Sequence, residues 1–448
     1  MKPRALASLG ISTIVFCAAA PRAAAADLYW DADGVNSGTT GGTGTWATGV
    51  TQWRDGSSTG TLVIYDNTTP NPVNTVFGGS AGTVTLSGTL NVGAMTFTTS
   101  GYNLTGGTAL NIAPATSPFT YTTNGGTNTV SSSITSAGGT QIVKTGPGTL
   151  ALGNGGGGVG SSPALYTVTG GTLNSATGIF DSIFAMPAAN RLGVQAASPT
   201  IVLTLDAGTL QITSATGNAL ANNRRVQVNA AGGSIADFGS NNFYEPAIVN
   251  NAGPGSSFYL SNISGTTQFR GVISGTGSVT WIGTSASNIA SFQGANTYTG
   301  DTVVKLGTLK LEFTGTNTGT TRLSSSTAVK LNGGTLSIQG TATAGQTTSQ
   351  TINGLTVSGN CSVVNTSGGT TPNFLSSSIA LGNITRSNLG TVNFTLPAIG
   401  NITSTRANVG GIIGGWATVG GTDWAATTSD GITASNITAL STYLTTTV

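Results

Sequence analysis

The sequence predicts an all-β chain wound as a right-handed parallel β-helix, a β-solenoid with atypical capping segments. Three observations predict it. The tripeptide Gly-Thr-Leu occurs seven times, starting at Gly60, Gly88, Gly148, Gly171, Gly208, Gly307 and Gly334, and neighbouring copies are often 23, 27, 28 or 37 residues apart. Recurrence in the range of ~20–50 residues marks a solenoid or array. Short stretches alternate apolar and polar residues, whereas no segment sustains the 3.6-residue period of an amphipathic helix. Gly, Asn and Thr-Gly bound these stretches, where the chain must turn.

Taken in order, residues 1–26 read as a secretory signal peptide. Lys2 and Arg4 precede an apolar run, and an alanine-rich stretch ends at Ala26 before Asp27. The run is too short and too alanine-rich for a membrane span, and no later stretch approaches ~18 uninterrupted apolar residues. Residues 27–135 are expected to form an N-terminal cap and the first rungs, 136–340 the central solenoid, and 341–448 the last rungs and a C-terminal cap. Each strand is only ~4–6 residues long and cannot bury its apolar face alone; stacking rung on rung solves this. At ~25 residues per rung the mature chain makes roughly 15 rungs, ~70–80 Å long at ~4.8 Å each.

The local pattern fixes a register. "IVKTGPGTLAL" (142–152), "VVKLGTLKLEF" (303–313) and "VKLNGGTLSI" (329–338) each run from a lysine through a glycine turn into an alternating strand. In the second, Leu309, Leu311 and Phe313 share one face, while Thr308, Lys310 and Glu312 share the other, because side chains alternate along a strand. Leu309 and Leu311 are therefore expected in the core. Asn and Thr are expected to stack between rungs as ladders of side-chain hydrogen bonds.

Composition narrows the function. Charged residues are 6% of the chain, against ~25% in ordinary soluble proteins. Removing Lys2, Arg4 and Arg22 with the signal peptide leaves 12 basic and 13 acidic residues, a net charge of about −1. Nucleic-acid binding, which needs clustered Lys and Arg, is not expected; Arg224-Arg225 reads as a solvated strand end. There are no histidines, and Cys361 is the only cysteine after residue 26. This removes the Ser-His-Asp and Cys-His nucleophile pairs, His-containing zinc sites and any internal disulfide.

β-Helical enzymes that cut acidic sugars use carboxylates gathered from neighbouring rungs. Asp206/Asp237 comes nearest to a cross-rung pair; after Asp66, Asp301/Glu312 and Asp423/Asp430 lie close in sequence. "DADG" (31–34) opens like a calcium loop, but its twelfth position is Gly42 rather than an acid, so a polar turn after Trp30 is the reading. "GNGGGG" (153–158) lacks a following Gly-Lys-Ser/Thr and reads as a loop tip. No catalytic residue, metal site or cofactor is expected. Trp30, Trp46, Trp53, Trp416 and Trp424 cluster at the two ends, with only Trp281 central. Solenoids need covered ends, and these indoles read as caps, with stacking on sugar rings as the alternative.

The stretches "ANNRRVQVNAAGGSIADFGSNNF" (221–243), "ISGTGSVTWIG" (273–283) and "FQGANTYTGDTVVKLGTLKL" (292–311) together resemble one full unit of the autotransporter-associated β-strand repeat family. "GTQIVKTGPGTLALGN" (139–154) with "LYTVTGGTLNSA" (165–176) resembles a second copy without the Asn-Thr-Tyr-Thr-Gly turn. Residues 27–46, 74–88 and 410–426 are similar to other segments of large secreted members. The resemblance implies a β-helical extracellular passenger, secreted or on a bacterial surface. The chain ends "NITALSTYLTTTV", without the alternating ~10-residue strands of a translocating barrel, so another export route or a longer parent protein is expected.

Three function classes follow: a non-enzymatic surface or secreted structural, adhesin-like protein, a carbohydrate-binding protein of the envelope, and a polysaccharide-degrading β-helix. The first fits a hydroxyl-rich, nearly neutral rod. Its expected partners are extracellular polysaccharide or cell-surface components, with self-association and without nucleic acid.

Overall fold

The computed structural model describes residues 27–443 apart from 36–38, 70, 72, 138–139, 153–164, 176–199, 214–216, 221–223, 240–241, 314–320, 342–344 and 368–375. The signal-peptide stretch 1–26 and the glycine tip 153–158 lie outside the described residues. Among these there is no helix; the chain is a parallel β-solenoid.

One coil shows the plan. Ala247–Asn250 lies on a first face, Phe258–Asn262 on a second and Thr266–Phe269 on a third. The next coil repeats the order with Ile273–Gly275, Val279–Gly283 and Ile289–Phe292. Each strand pairs in parallel with its counterpart one coil on: Ile248 with Ile273, Leu260 with Trp281, Phe269 with Phe292. The second face is one sheet of 14 strands, from Gly44–Trp46 to Ile384–Arg386, which compares with the roughly 15 rungs expected.

Alternation creates the core. In Thr308–Glu312 the two leucines are fully buried, while Lys310 and Glu312 lie outside and pair at 3.4 Å. Identical residues stack from coil to coil, as in Leu150–Leu173–Leu210 and Leu309–Leu336. A strand of two or three inward side chains is stable only because the coils above and below cover it.

The Gly-Thr-Leu copies prove to serve two faces. Those starting at Gly148, Gly171 and Gly208 open strands of the second face, and those at Gly307 and Gly334 open strands of the third. The spacings of 23, 37 and 27 residues are true coil-to-coil repeats. The spacing of 28 is not, because Leu62 of the first copy lies in an antiparallel hairpin at the N-terminal end. What the copies share is a corner. At Gly307 the φ is +78°, and an added Cβ would sit 2.6 Å from the Asn288 carbonyl of the previous coil, so only glycine lets the coils close there.

Outward amides and hydroxyls form the expected ladders. On the third face the Asn111 amide donates to Asn91 Oδ1 at 2.7 Å, and the Thr135 hydroxyl donates to Asn111 Oδ1 at 3.0 Å.

Both ends switch from parallel to antiparallel pairing. At the start, Asp27–Trp30 pairs antiparallel with Thr51–Asp55, which pairs antiparallel with Leu62–Ile64. Trp30, Trp46 and Trp53 are fully buried here; the Trp53 ring centroid lies 5.3 Å from Trp30 and 4.9 Å from Trp46. At the other end Ala417–Val419 turns back antiparallel through Asp423–Ala426 to Thr438–Ala439, and Gly400–Ser404 is met by Ser435–Asn436. Trp416 packs against the core, whereas Trp424 remains 40% exposed.

Burial of phenols sets an alkaline limit on the fold. Tyr65, Tyr102, Tyr121, Tyr166, Tyr244 and Tyr298, six of the nine tyrosines, are buried, and burial raises their pKa, that of Tyr102 to about 12. Above the ordinary phenol value near 10 the unfolded chain loses these protons first. Stability is therefore present in full below pH ~10 and is lost as pH rises from there. Absorbance near ~295 nm, where phenolate but not phenol absorbs, is expected to show most phenols ionising together with loss of the β circular dichroism. Six phenols titrating ahead of that loss would contradict the packing.

Candidate functional site

Two surface features stand out from the regular coils. The first is a polar file on the third face. Glu245, Arg270, Gln293 and Glu312 follow one another on successive coils, because Tyr244, Phe269, Phe292 and Leu311 beside them are in register. Glu245 and Glu312 are the chain's only two glutamates. Arg270 lies 3.7 Å from Glu245 and donates to Gln268 Oε1 at 2.9 Å. The Gln293 amide donates to Gln268 Oε1 at 3.1 Å and to Glu312 Oε2 at 3.2 Å. The Arg270 guanidinium also lies 3.9 Å over the Phe243 ring. The members bond to one another along the rod, so the file braces four coils. Three coil rises separate the two glutamates, ~14 Å at ~4.8 Å per rise.

The second feature is a break in the first face. After Ile273–Gly275 the next two coils cross this face without a strand, and regular pairing resumes only at Thr348–Thr351. The Asn-Thr-Tyr-Thr-Gly turn at 296–300 makes the first crossing. Side-chain amides splice the gap. Asn296 Oδ1 accepts from the Ile273 N–H at 2.7 Å, and its Nδ2 donates to the Arg322 carbonyl at 2.8 Å. Gln350 Oε1 accepts from the Arg322 and Leu323 N–H groups at 2.8 and 3.1 Å, and its Nε2 donates to the Leu323 carbonyl at 3.0 Å.

Gln350 occupies a buried position whose counterparts one and two coils on are Ile379 and Ile402. An amide replaces isoleucine there because the coil beneath offers backbone groups rather than a strand's apolar row. Buried polar groups must be paired, and Asn296 and Gln350 do the pairing. Asn296→Ala is expected to strand the Ile273 N–H and the Arg322 carbonyl, at roughly 1–3 kcal/mol each. Hydrogen exchange at the Ile273 amide checks this; unchanged protection would contradict the splice.

The break leaves a groove of about 450 Å³ lined by the hydroxyls of Thr297, Thr321, Ser324, Ser325, Ser349 and Thr351, with Asn296 and Leu323 beneath. Among the described residues no Asp, Glu, Lys or Arg side chain lines it. The nearby Arg322 is buried: its Nε donates to the Glu312 carbonyl at 2.7 Å, and its guanidinium lies 4.5 Å over the Phe313 ring.

The residues weighed for chemistry do not converge. Asp206 follows the first-face strand Thr200–Leu205, with Asn229 at 3.5 Å. Asp237 ends the second-face strand Gly233–Asp237 at the next corner, so the two occupy different corners. Asp237 is buried and accepts from Thr267 Oγ1 at 2.8 Å, Asn242 Nδ2 at 2.7 Å and the Gly239 N–H at 2.9 Å. Burial raises its pKa while these three donors pull it down; it is a carboxylate pinning a corner. Asp301 pairs with Lys330 rather than Glu312, and Asp430 accepts from the Ile432 and Thr433 N–H groups.

In "DADG", Asp31 turns inward to a buried ion pair with Arg54 at 2.5 Å, and Asp33 closes a turn by accepting from the Val35 N–H. Among the described residues no group of three or more His, Cys, Asp or Glu could hold a metal ion. Cys361 is buried, its thiol near the Leu331 carbonyl at 3.3 Å.

Comparison with known proteins adds one relative. Over 155 residues the chain is 42% identical to the "Adhesin BmaC autotransporter" of Brucella suis biovar 1 (strain 1330). The match covers 34% of this chain, but only 4% of that protein's length. No family model and no solved structure matches the chain. The resemblance to autotransporter passengers thus has a counterpart in a known protein: this chain is a parallel β-solenoid similar, over 34% of its length, to an autotransporter adhesin.

Proposed function

We propose that the chain is a secreted or cell-surface, adhesin-like passenger that works by binding and carries out no catalysis. The similarity to an autotransporter adhesin, on a β-solenoid scaffold, is the observation that carries this reading. The placement of the acids supports its non-enzymatic part. Paired carboxylates in glycoside hydrolysis stand ~5–9.5 Å apart, whereas Glu245 and Glu312 are ~14 Å apart at ~4.8 Å per coil. Asp206 and Asp237 face different corners. The faces are long, nearly neutral and rich in hydroxyl and amide groups, which suits contact with extracellular polysaccharide or cell-surface components.

Adhesion of coated beads tests the reading. Fluorescent beads carrying residues 27–448 are expected to be retained on animal-cell monolayers or on polysaccharide-coated plates above beads carrying albumin. Equal retention on every surface would sink it.

A further inference from the structure

We propose that the groove at the break in the first face is a binding site for a neutral saccharide unit. The proposal deepens the adhesin-like reading and rests on it. The chemistry of the lining selects the ligand. The Thr297, Thr321, Ser325, Ser349 and Thr351 hydroxyls are exposed and have no side-chain hydrogen bond within the protein among the described residues. Each hydroxyl both donates and accepts, which matches the hydroxyls of a sugar ring.

The alternatives fit less. An anion or cation would find no counter-charge, since among the described residues no ionisable side chain lines the groove and the Arg322 guanidinium is turned to the Glu312 carbonyl and the Phe313 ring. A hydrophobic ligand would find no aromatic wall. The volume of about 450 Å³ falls within the ~300–1,000 Å³ usual for small-molecule sites.

The walls are also held in place. They come from three successive coils, joined beneath the groove by the Asn296 and Gln350 amides. Little ordering is needed on binding. Without an aromatic platform a single site binds weakly, and many copies on one surface raise the avidity.

Ligand-observed saturation-transfer NMR on residues 27–448 tests the site. The probes are methyl α-mannopyranoside, methyl β-galactopyranoside, lactose and maltose, with 3′-sialyllactose and inorganic phosphate as charged probes. Signal from at least one neutral sugar is expected. The triple variant Thr297→Val, Ser349→Ala, Thr351→Val is expected to weaken it on the order of tenfold or more, with unchanged circular dichroism because all three side chains are exposed. Thr351→Ser alone, which keeps the hydroxyl, is expected to retain it.

No signal from any neutral sugar, an unchanged signal in the triple variant, or signal from the charged probes alone would overturn the proposal. Bead adhesion measured in parallel separates the two ideas. Beads that adhere without any neutral sugar binding would sink the groove and leave the adhesin reading standing. Sugar binding without adhesion would do the reverse.

Discussion

Deleting residues 410–448 is expected to drive the protein into end-to-end or amorphous aggregation. The segment supplies Asp423–Ala426, Ser435–Asn436 and Thr438–Ala439, the antiparallel strands that end the parallel stack. Without it the strands Thr391–Thr395 and Gly400–Ser404 present unpaired backbone edges, and their buried Phe394 and Ile402 lose cover. An open edge templates pairing with another chain. Little charge opposes this, since residues 27–448 hold 12 basic and 13 acidic residues. Salt is accordingly expected to change the outcome little. Light scattering on residues 27–448 and on residues 27–409, across ionic strength, checks it. A truncation that stays monomeric would make the segment an appendage and leave Trp424 available for contact.

Leu309→Ala and Leu311→Ala are each expected to cost about 2–5 kcal/mol. Both side chains are fully buried between Ala290 and Phe292 of one coil and Leu336 and Ile338 of the next. The loss should be felt mainly in adjoining coils, because each coil contacts only its neighbours. Native-state hydrogen exchange is therefore the proper readout. Lys310→Ala is expected to cost under ~0.5 kcal/mol. Glu312→Ala differs from Lys310→Ala although both point outward: the buried Ser291 hydroxyl donates to the Glu312 carboxylate at 2.5 Å. Losing that acceptor costs about 1–3 kcal/mol. If Lys310→Ala proved worse than either leucine variant, the strand register would be off by one residue.

The contrast within this one strand shows what a sequence carries and what it hides. The inward leucines are legible because a period of two over five residues admits one register. The extra role of Glu312 depends on which residue lies one coil below, and that depends on a coil of 19 residues here, where others run to 37. Asn296 illustrates the same limit. It sits in a turn, where asparagine is ordinary, and nothing local tells that its amide joins Ile273 to Arg322. Gln350 gave a faint signal, a long polar residue in "TTSQTING" where most inward positions are apolar. The groove follows from two coils lacking a strand on one face, a property of the stack rather than of any stretch. The N-terminal tryptophans were legible as a cap because three indoles cluster before the first regular coil, though the antiparallel pairing that buries them was not.

Small-angle X-ray scattering on residues 27–448 examines the solenoid itself, on which the proposed surface binding depends. Fourteen stacked strands span ~62 Å at ~4.8 Å per rise, and the caps extend the rod to roughly 80 Å. The expected result is a skewed pair-distance distribution reaching that length, with a radius of gyration above the about 22 Å of a compact domain of this size. A symmetric distribution with a compact radius of gyration would contradict the stacked rod and, with it, the faces proposed to bind.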